Sequence, residues 1–233
     1  MGCDNLFHKK KERKTASLGR PKAKLAPYDV VLIVCEGAKT EPNYFSGLKD
    51  AFRLNNANVR IYGKECGSDP LSVVNFAIET MKKETGFDRA YCVFDQDKHA
   101  TYKAAVDKAQ RARLGGAKRK IIVIPSVPCF ELWLLLHFTY TAKQFHARGG
   151  YSICTSIEQE LKKHLPNYQK GQQDIFAKVI DKLDTAIAHA KLLDEYHKTS
   201  GTDNPSTKIH VLVEYLSDLK KPFWPQPVQP RKN

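Results

Sequence analysis

Three acidic side chains follow two short apolar segments, and their type and spacing suit the binding of a divalent cation. Glu36 comes directly after the apolar run at residues 30–35, and Asp95 and Asp97 follow a second run at residues 90–94. Side chains two positions apart on an extended segment point the same way, so Asp95 and Asp97 can face one site. Carboxylates that converge repel one another unless a cation lies among them. Oxygen ligands of this kind suit Mg²⁺, or Mn²⁺ in its place.

The apolar segments that precede these acids predict strands of a parallel sheet. Such short and dense apolar runs are typical of strands buried on both faces. Weaker strand candidates lie at residues 59–62 and 121–124, and helical patterns alternate with the strands. This alternation predicts an α/β fold with a parallel-sheet core and helices on both faces. The carboxyl ends of such strands are where functional groups collect, and the acids stand at those ends.

Helices are predicted from apolar positions that recur with helical spacing. Asp69 and Pro70 suit the N-cap and the first residue of one helix. Ser156 and Gln159 have the spacing of a capping box at the start of another. After residue 125 the chain is mostly helical, with helices predicted over residues 130–138, 156–165, 172–196 and 206–219.

Further site candidates lie close to the acids along the chain. Glu131 stands at the start of an otherwise apolar helix, so it either points back at the strand ends or interacts with the helix dipole. Lys98 can neutralise charge on a phosphate oxygen. We predict Lys39, Lys98 and His99 as nucleic-acid contacts, with His99 also a candidate general acid or base. Lys39 and Glu41, just past Glu36, either hold the phosphate or extend the metal shell, or they lie in a solvated loop, and a surface role for His99 stays open.

The bulk composition points to a polyanionic partner. The net charge is +13, and the first 24 residues contribute +6 of it, so the excess is not confined to one end. This balance favours nucleic acid, DNA or RNA, although basic proteins without such a partner are common. The six cysteines form no C-x-x-C pair, which argues against a zinc site or a disulfide framework. Without a membrane-spanning stretch or a secretory signal, we expect a cytoplasmic protein.

The motifs around the acids resemble known families. Glu-Gly after the first strand, with Asp-x-Asp after the third, resembles the Toprim domain, the metal-binding fold of topoisomerases, primases and certain nucleases. Four longer segments of the sequence resemble the RloB family. They are IVCEGAKTEPNYF (33–45), VFDQDKH (93–99), SVPCFELWLLLHF (126–138) and NPST (204–207). The resemblance implies a Toprim-like metal site formed by Glu36, Asp95 and Asp97. It also implies nuclease-like chemistry in bacterial defence, often beside an ATPase.

Together these inferences divide the chain and define its expected function. We predict a flexible basic arm at 1–26, a Toprim-like α/β domain at 27–140, a helical extension packed on the core at 141–221 and a Pro-rich tail at 222–233. The sequence has no G-x-x-x-x-G-K-[ST] motif, so ATP use would belong to a separate partner subunit. The expected function is that of a Mg²⁺-dependent nuclease acting on phosphodiesters in anti-phage defence, and a homo-oligomer is compatible with it.

Two other functions remain open at this stage. One is a non-catalytic basic subunit that binds nucleic acid or regulates a defence complex. The other is nucleotidyl transfer or strand religation, which would need a tyrosine nucleophile close to the metal.

Overall fold

The computed structural model describes residues 29–56, 58–96, 100–116, 118–147 and 149–220. These residues contain strands at Val31–Cys35 (β1), Val59–Tyr62 (β2), Arg89–Asp95 (β3), Lys120–Val127 (β4) and Ser206–Thr207 (β5). The helices are Thr40–Ala51 (α1), Pro70–Lys83 (α2), Tyr102–Arg111 (α3), Glu131–Leu136 (α4), Ile153–Lys162 (α5), Ile175–Val179 (α6), Leu183–Ser200 (α7) and Ile209–Lys220 (α8). Short 3₁₀ turns lie at Lys64–Cys66 and Ile180–Lys182.

The strands form one sheet in the order β2-β1-β3-β4-β5. The first four are mutually parallel, and β5 pairs antiparallel with the end of β4. The predicted α/β fold with a parallel-sheet core is therefore confirmed. The chain leaves β1 toward β2 on one side and returns to β3 on the other, which makes the β1–β3 junction the switch point of the sheet. In open α/β sheets, ligands bind in the crevice at the carboxyl ends of the strands beside such a point.

Helices cover both faces of this sheet, as the sequence predicts. The side chains of β1 alternate between the two faces because successive residues of a strand point in opposite directions. Val31 and Ile33 are buried with α1 and the helices that follow β4. Leu32 and Val34 are buried with α2 and α3 on the other face. Every residue of β1 is fully buried, which explains the continuous apolar run.

The helix predicted over residues 172–196 is wrong as a single element. The structure has α6, a 3₁₀ turn at Ile180–Lys182, and then α7, which continues to Ser200. The break lets two apolar faces bury different surfaces. Phe176 of α6 packs edge-on against the Tyr44 ring of α1, with 5.1 Å between ring centroids. The buried face of α7, by contrast, contacts α4.

Two helix starts also differ from the predictions. The last helix begins at Ile209, because Ser206 and Thr207 pair with β4, and the Thr207 hydroxyl accepts the Ile209 N–H at 3.2 Å. Helix α5 begins at Ile153, and its cap is Ser152, whose hydroxyl accepts the Thr155 N–H at 3.2 Å. The predicted capping residue Ser156 therefore lies inside the helix. The Asp69 cap of α2 is confirmed, since its carboxylate accepts N–H groups of the first turn.

Three later helices cover one side of the molecule: α8 packs on β4, α7 contacts α4 and β5, and α5 packs on α4. Ile157, Leu161, Ile209 and Leu212 belong to the same buried cluster as the β1 side chains on that face. The predicted arm at 1–26 and tail at 222–233 lie outside the described residues. In the part of the chain that the structure describes, no helix has the length and apolar character needed to cross a membrane.

Candidate functional site

Glu36 and Asp95 lie side by side at the carboxyl ends of the neighbouring strands β1 and β3. The Glu36 N–H donates to the Val93 carbonyl at 2.9 Å, which continues the strand pairing. The Asp95 N–H in turn donates to Oε2 of Glu36 at 3.1 Å. Both acids are half-buried. The structure therefore brings these two predicted site residues together at the switch point of the sheet.

A third acid, Glu41, joins them from the first turn of α1. Glu41 is 8% exposed, and its carboxylate lies against Gly37, where a Cβ atom would clash with it. Glycine is thus required after Glu36 for Glu41 to reach the strand ends. Glu36, Glu41 and Asp95 together line an open cavity of 550 Å³.

Glu131 is the fourth acid, at the first residue of α4. It is 3% exposed, and its Oε1 accepts a hydrogen bond from the Tyr168 hydroxyl at 3.2 Å. The Lys170 ammonium lies 3.3 Å from the same oxygen and 3.0 Å from Oε1 of Glu158. Glu131 also lines a 300 Å³ cavity together with Asp95 and Glu41. Its carboxylate is therefore turned toward the strand ends.

Lys170 reaches the site because its loop is fastened to the start of α1. The Gly171 N–H donates to the Thr40 hydroxyl at 3.0 Å, and the Asn43 amide donates to the Gly171 carbonyl at 2.9 Å. Gly171 has a φ of +78°, and a Cβ there would lie 2.9 Å from Cβ of Lys39. Glycine, which has no Cβ, allows both this positive φ and the close approach of Lys39. Lys39 is exposed and borders the same cavity as Lys170.

Burial and the neighbouring acids raise the pKa values of Asp95 and Glu41. Burial raises the pKa of Asp95 well above its ordinary value, and the charges of Glu41 and Glu131 add to the effect. Burial likewise raises the pKa of Glu41 to about 7, with Glu131 and Glu36 adding to it and Lys170 opposing it. Desolvation and like charges thus both disfavour full ionisation of the cluster. A bound cation would relieve this repulsion.

Cys129, which lies beside the acids, is a poor nucleophile. A hydrogen bond with Cys154, burial and the charges of Glu131 and Asp95 raise the pKa of Cys129 well above its ordinary value. Because the thiolate is the reactive form, nucleophilic attack by Cys129 is disfavoured at neutral pH.

The donor set suits Mg²⁺, which takes oxygen ligands, commonly one or two carboxylates, and keeps several waters. Within the described ranges, no three Asp, Glu, His or Cys side chains are grouped as ligands of a single ion. Glu36 and Asp95 are the pair at the switch point, and two carboxylates meet the usual protein share for Mg²⁺. The predicted site residues Asp97, Lys98 and His99 lie outside the described residues.

Three residues of the site were not predicted as site residues from the sequence. Glu41 stands five positions after Glu36 in the same motif, and the sequence left it open between a site role and a solvated loop. Tyr168 and Lys170 follow a segment far from the acids along the chain, in a loop without a recognisable motif. Their role is visible only from their contacts with Glu131.

Comparison with protein families agrees with the motifs. A family model described as RloB-like protein matches residues 31–216. The chain belongs to the RloB-like family. The matched range contains every strand of the sheet and all four acids of the site. No curated protein and no solved structure matches the chain.

Proposed function

We propose that this RloB-like protein is a Mg²⁺-dependent nuclease that cleaves nucleic-acid phosphodiesters. The observation that carries the proposal is the convergence of Glu36, Asp95, Glu41 and Glu131 at the switch point between β1 and β3. Such a concentration of half-buried and buried acids is unfavourable without a cation, and it lies where α/β sheets bind their ligands.

Glu36 and Asp95 would hold the ion, together with the predicted ligand Asp97. A bound Mg²⁺ or Mn²⁺ supplies an activated water and neutralises charge that develops on the phosphate. Glu131 and Glu41 add negative potential behind this pair, which increases the affinity of the site for a divalent cation.

Two lysines provide the complementary positive charge on the rim. The Lys170 side chain is 52% exposed, and its ammonium is oriented by ion pairs with Glu131 and Glu158. It can donate charge-assisted hydrogen bonds to a phosphate oxygen in the cavity. Lys39 borders the same cavity from the loop after β1.

The biological setting is part of the same proposal. The RloB motifs support a role in anti-phage defence beside a separate ATPase subunit. A nucleic-acid substrate supports a cytoplasmic location.

The test is cleavage of labelled DNA and RNA with Mg²⁺ or Mn²⁺, repeated with a chelator. Glu36→Gln and Asp95→Asn keep the size of each side chain and remove its charge. We expect each to lower the cleavage rate by at least about 100-fold, since even outer-shell changes at metal sites cost 10–100-fold. The matched control is Asp50→Asn, an exposed acid of α1. Full activity in both site variants would overturn the assignment.

The net charge of +13 favours a second candidate, a non-catalytic basic subunit that binds nucleic acid or regulates a partner. It predicts binding that needs no divalent cation, falls steeply with salt and is unchanged by Asp95→Asn. Retained binding without cleavage under any metal condition would favour this candidate over the nuclease.

A further inference from the structure

A basic groove lies on the sheet face opposite α1 and α4, between α2 and α3. It encloses 570 Å³ and is lined by Ile78, Lys82, Ala104, Asp107, Lys108, Arg111, Ala112 and Arg113, which we call the α2–α3 groove. The floor is apolar, and four of the eight lining side chains are cations against one acid. None of these residues belongs to the acidic site.

The cations of the groove follow the axis of α3. Ala104, Lys108 and Arg111 are spaced i, i+4 and i+7, so they share one face of the helix. Arg113 continues the row just beyond the helix end, and Lys82 faces it from α2. All four cations are exposed, and within the described residues none of them forms an ion pair or a side-chain hydrogen bond. Their charge is therefore available to a ligand.

The two banks of the groove are held at a set spacing by Arg119. Its guanidinium donates to four backbone carbonyls: those of Met81 and Glu84 at the end of α2, Phe87 before β3 and Leu114 after α3. A guanidinium carries five donors in a rigid planar fork, so this one group ties three segments together. The groove is thus shaped before any ligand binds, which lowers the entropic cost of binding.

The cations of the groove lie at the ends of the helices that are farther from the acidic site. Helices α2 and α3 both start at the sheet edge that carries Glu36 and Asp95, and the Thr101 hydroxyl before α3 donates to the Asp69 cap of α2 at 3.3 Å. From Ala104 to Arg111 the lining extends by about 10 Å along α3 at the helical rise, and Lys82, Lys108 and Arg111 stand in the last turns of the two helices.

We propose that the α2–α3 groove binds the phosphate backbone of a nucleic acid. A row of unpaired cations over a narrow apolar floor complements a linear polyanion. That the bound strand is a substrate rests on the proposed nuclease function, whereas the binding itself does not. Lys82, Lys108 and Arg111 also stand in the last turns of their helices, where a cation stabilises the helix dipole, whereas Arg113 lies beyond the end of α3.

The experiment measures binding of short labelled duplex DNA and RNA by anisotropy in chelator, at several salt concentrations. The groove variant combines Lys82→Gln, Lys108→Gln and Arg111→Gln. The control variant removes the same charge from exposed positions elsewhere on the described surface, through Lys143→Gln, Lys162→Gln and Lys198→Gln. We expect the groove variant to raise Kd at least about tenfold and to reduce the slope of log K against log salt by about 2–3, with the control near the native protein.

Several outcomes would overturn the groove proposal. Native affinity in the groove variant would do so, and so would an equal loss in the control variant, which would assign binding to net charge alone. If the groove variant binds nucleic acid normally but loses binding to vesicles of anionic phospholipid, the groove belongs to a membrane-binding surface instead. If the triple variant unfolds, Arg113→Gln alone keeps both helices intact and should reduce the salt slope by about 1.

The groove proposal and the nuclease proposal fail separately. Because binding is measured in chelator, it does not depend on any metal or on cleavage. Absence of nuclease activity with selective loss of binding in the groove variant would reject the nuclease and keep the groove. Cleavage by a protein whose groove variant binds and cuts normally would reject the groove and keep the nuclease.

Discussion

The ion pair between Lys170 and the buried Glu131 should stabilise the fold far more than an exposed ion pair, even one whose charged atoms lie closer together. Burial alone would lower the pKa of Lys170, yet the carboxylates of Glu131 and Glu158 raise it above its ordinary value. The Glu131 side chain is 4% exposed and faces the other acids of the site. Lys170→Met keeps the aliphatic stem and removes the one cation in contact with this carboxylate among the described residues.

The expected loss follows from Coulomb's law and from solvent screening. At 3.3 Å and an effective dielectric constant of 20, the attraction is about 5 kcal/mol. The Lys170 side chain is 52% exposed, so water offsets much of this when the charge is removed. We therefore expect Lys170→Met to lower the free energy of unfolding by about 2 kcal/mol, or the Tm by roughly 4–8 °C in metal-free buffer.

The matched control is Lys163→Met, which breaks a pair with Glu160. That pair is shorter, at 2.7 Å, but its side chains are 65% and 45% exposed. Its loss should cost less than about 0.5 kcal/mol. Urea unfolding followed by tryptophan fluorescence measures both variants. Equal losses in the two variants would refute the reasoning from burial, and Glu131→Gln added to Lys170→Met should recover part of the loss.

Two further predictions concern residues outside the acidic site. Burial lowers the pKa of His137 to about 4, so the folded protein binds fewer protons than the unfolded chain below pH 6.5. Stability should therefore fall as the pH drops from 6.5, by about 2 kcal/mol at pH 5 from this group, and His137→Asn should remove that part of the pH dependence. Parallel stability curves for the two proteins would contradict this. Arg119→Met should cost about 2–4 kcal/mol in urea unfolding, because it leaves several carbonyls without their donor. Arg119→Lys should recover less than half, since lysine lacks the planar fork, and native stability in Arg119→Met would show that the clamp is dispensable.

Much of the fold was predictable because local pattern and tertiary environment agree there. The apolar runs that became β1 and β3 are buried on both faces, and a strand in that setting has to be apolar throughout. The Asp69 cap was equally local, since a cap depends on residues within one turn. The break at Ile180–Lys182 was not predictable, because the apolar spacing continues through it and only the positions of α1 and α4 separate the two halves.

The sequence by itself determined that Glu36 and Asp95 stand at the ends of parallel strands, and parallel strands place such ends at one edge. Only the tertiary structure decided which side chains surround them. Glu131 and Lys170 are 39 positions apart, and they meet because Gly171 fastens a loop to the start of α1. The α2–α3 groove likewise depends on Arg119 joining three separate segments. Patterns along the chain report which face of an element is buried, whereas contacts between distant loops depend on how the elements pack.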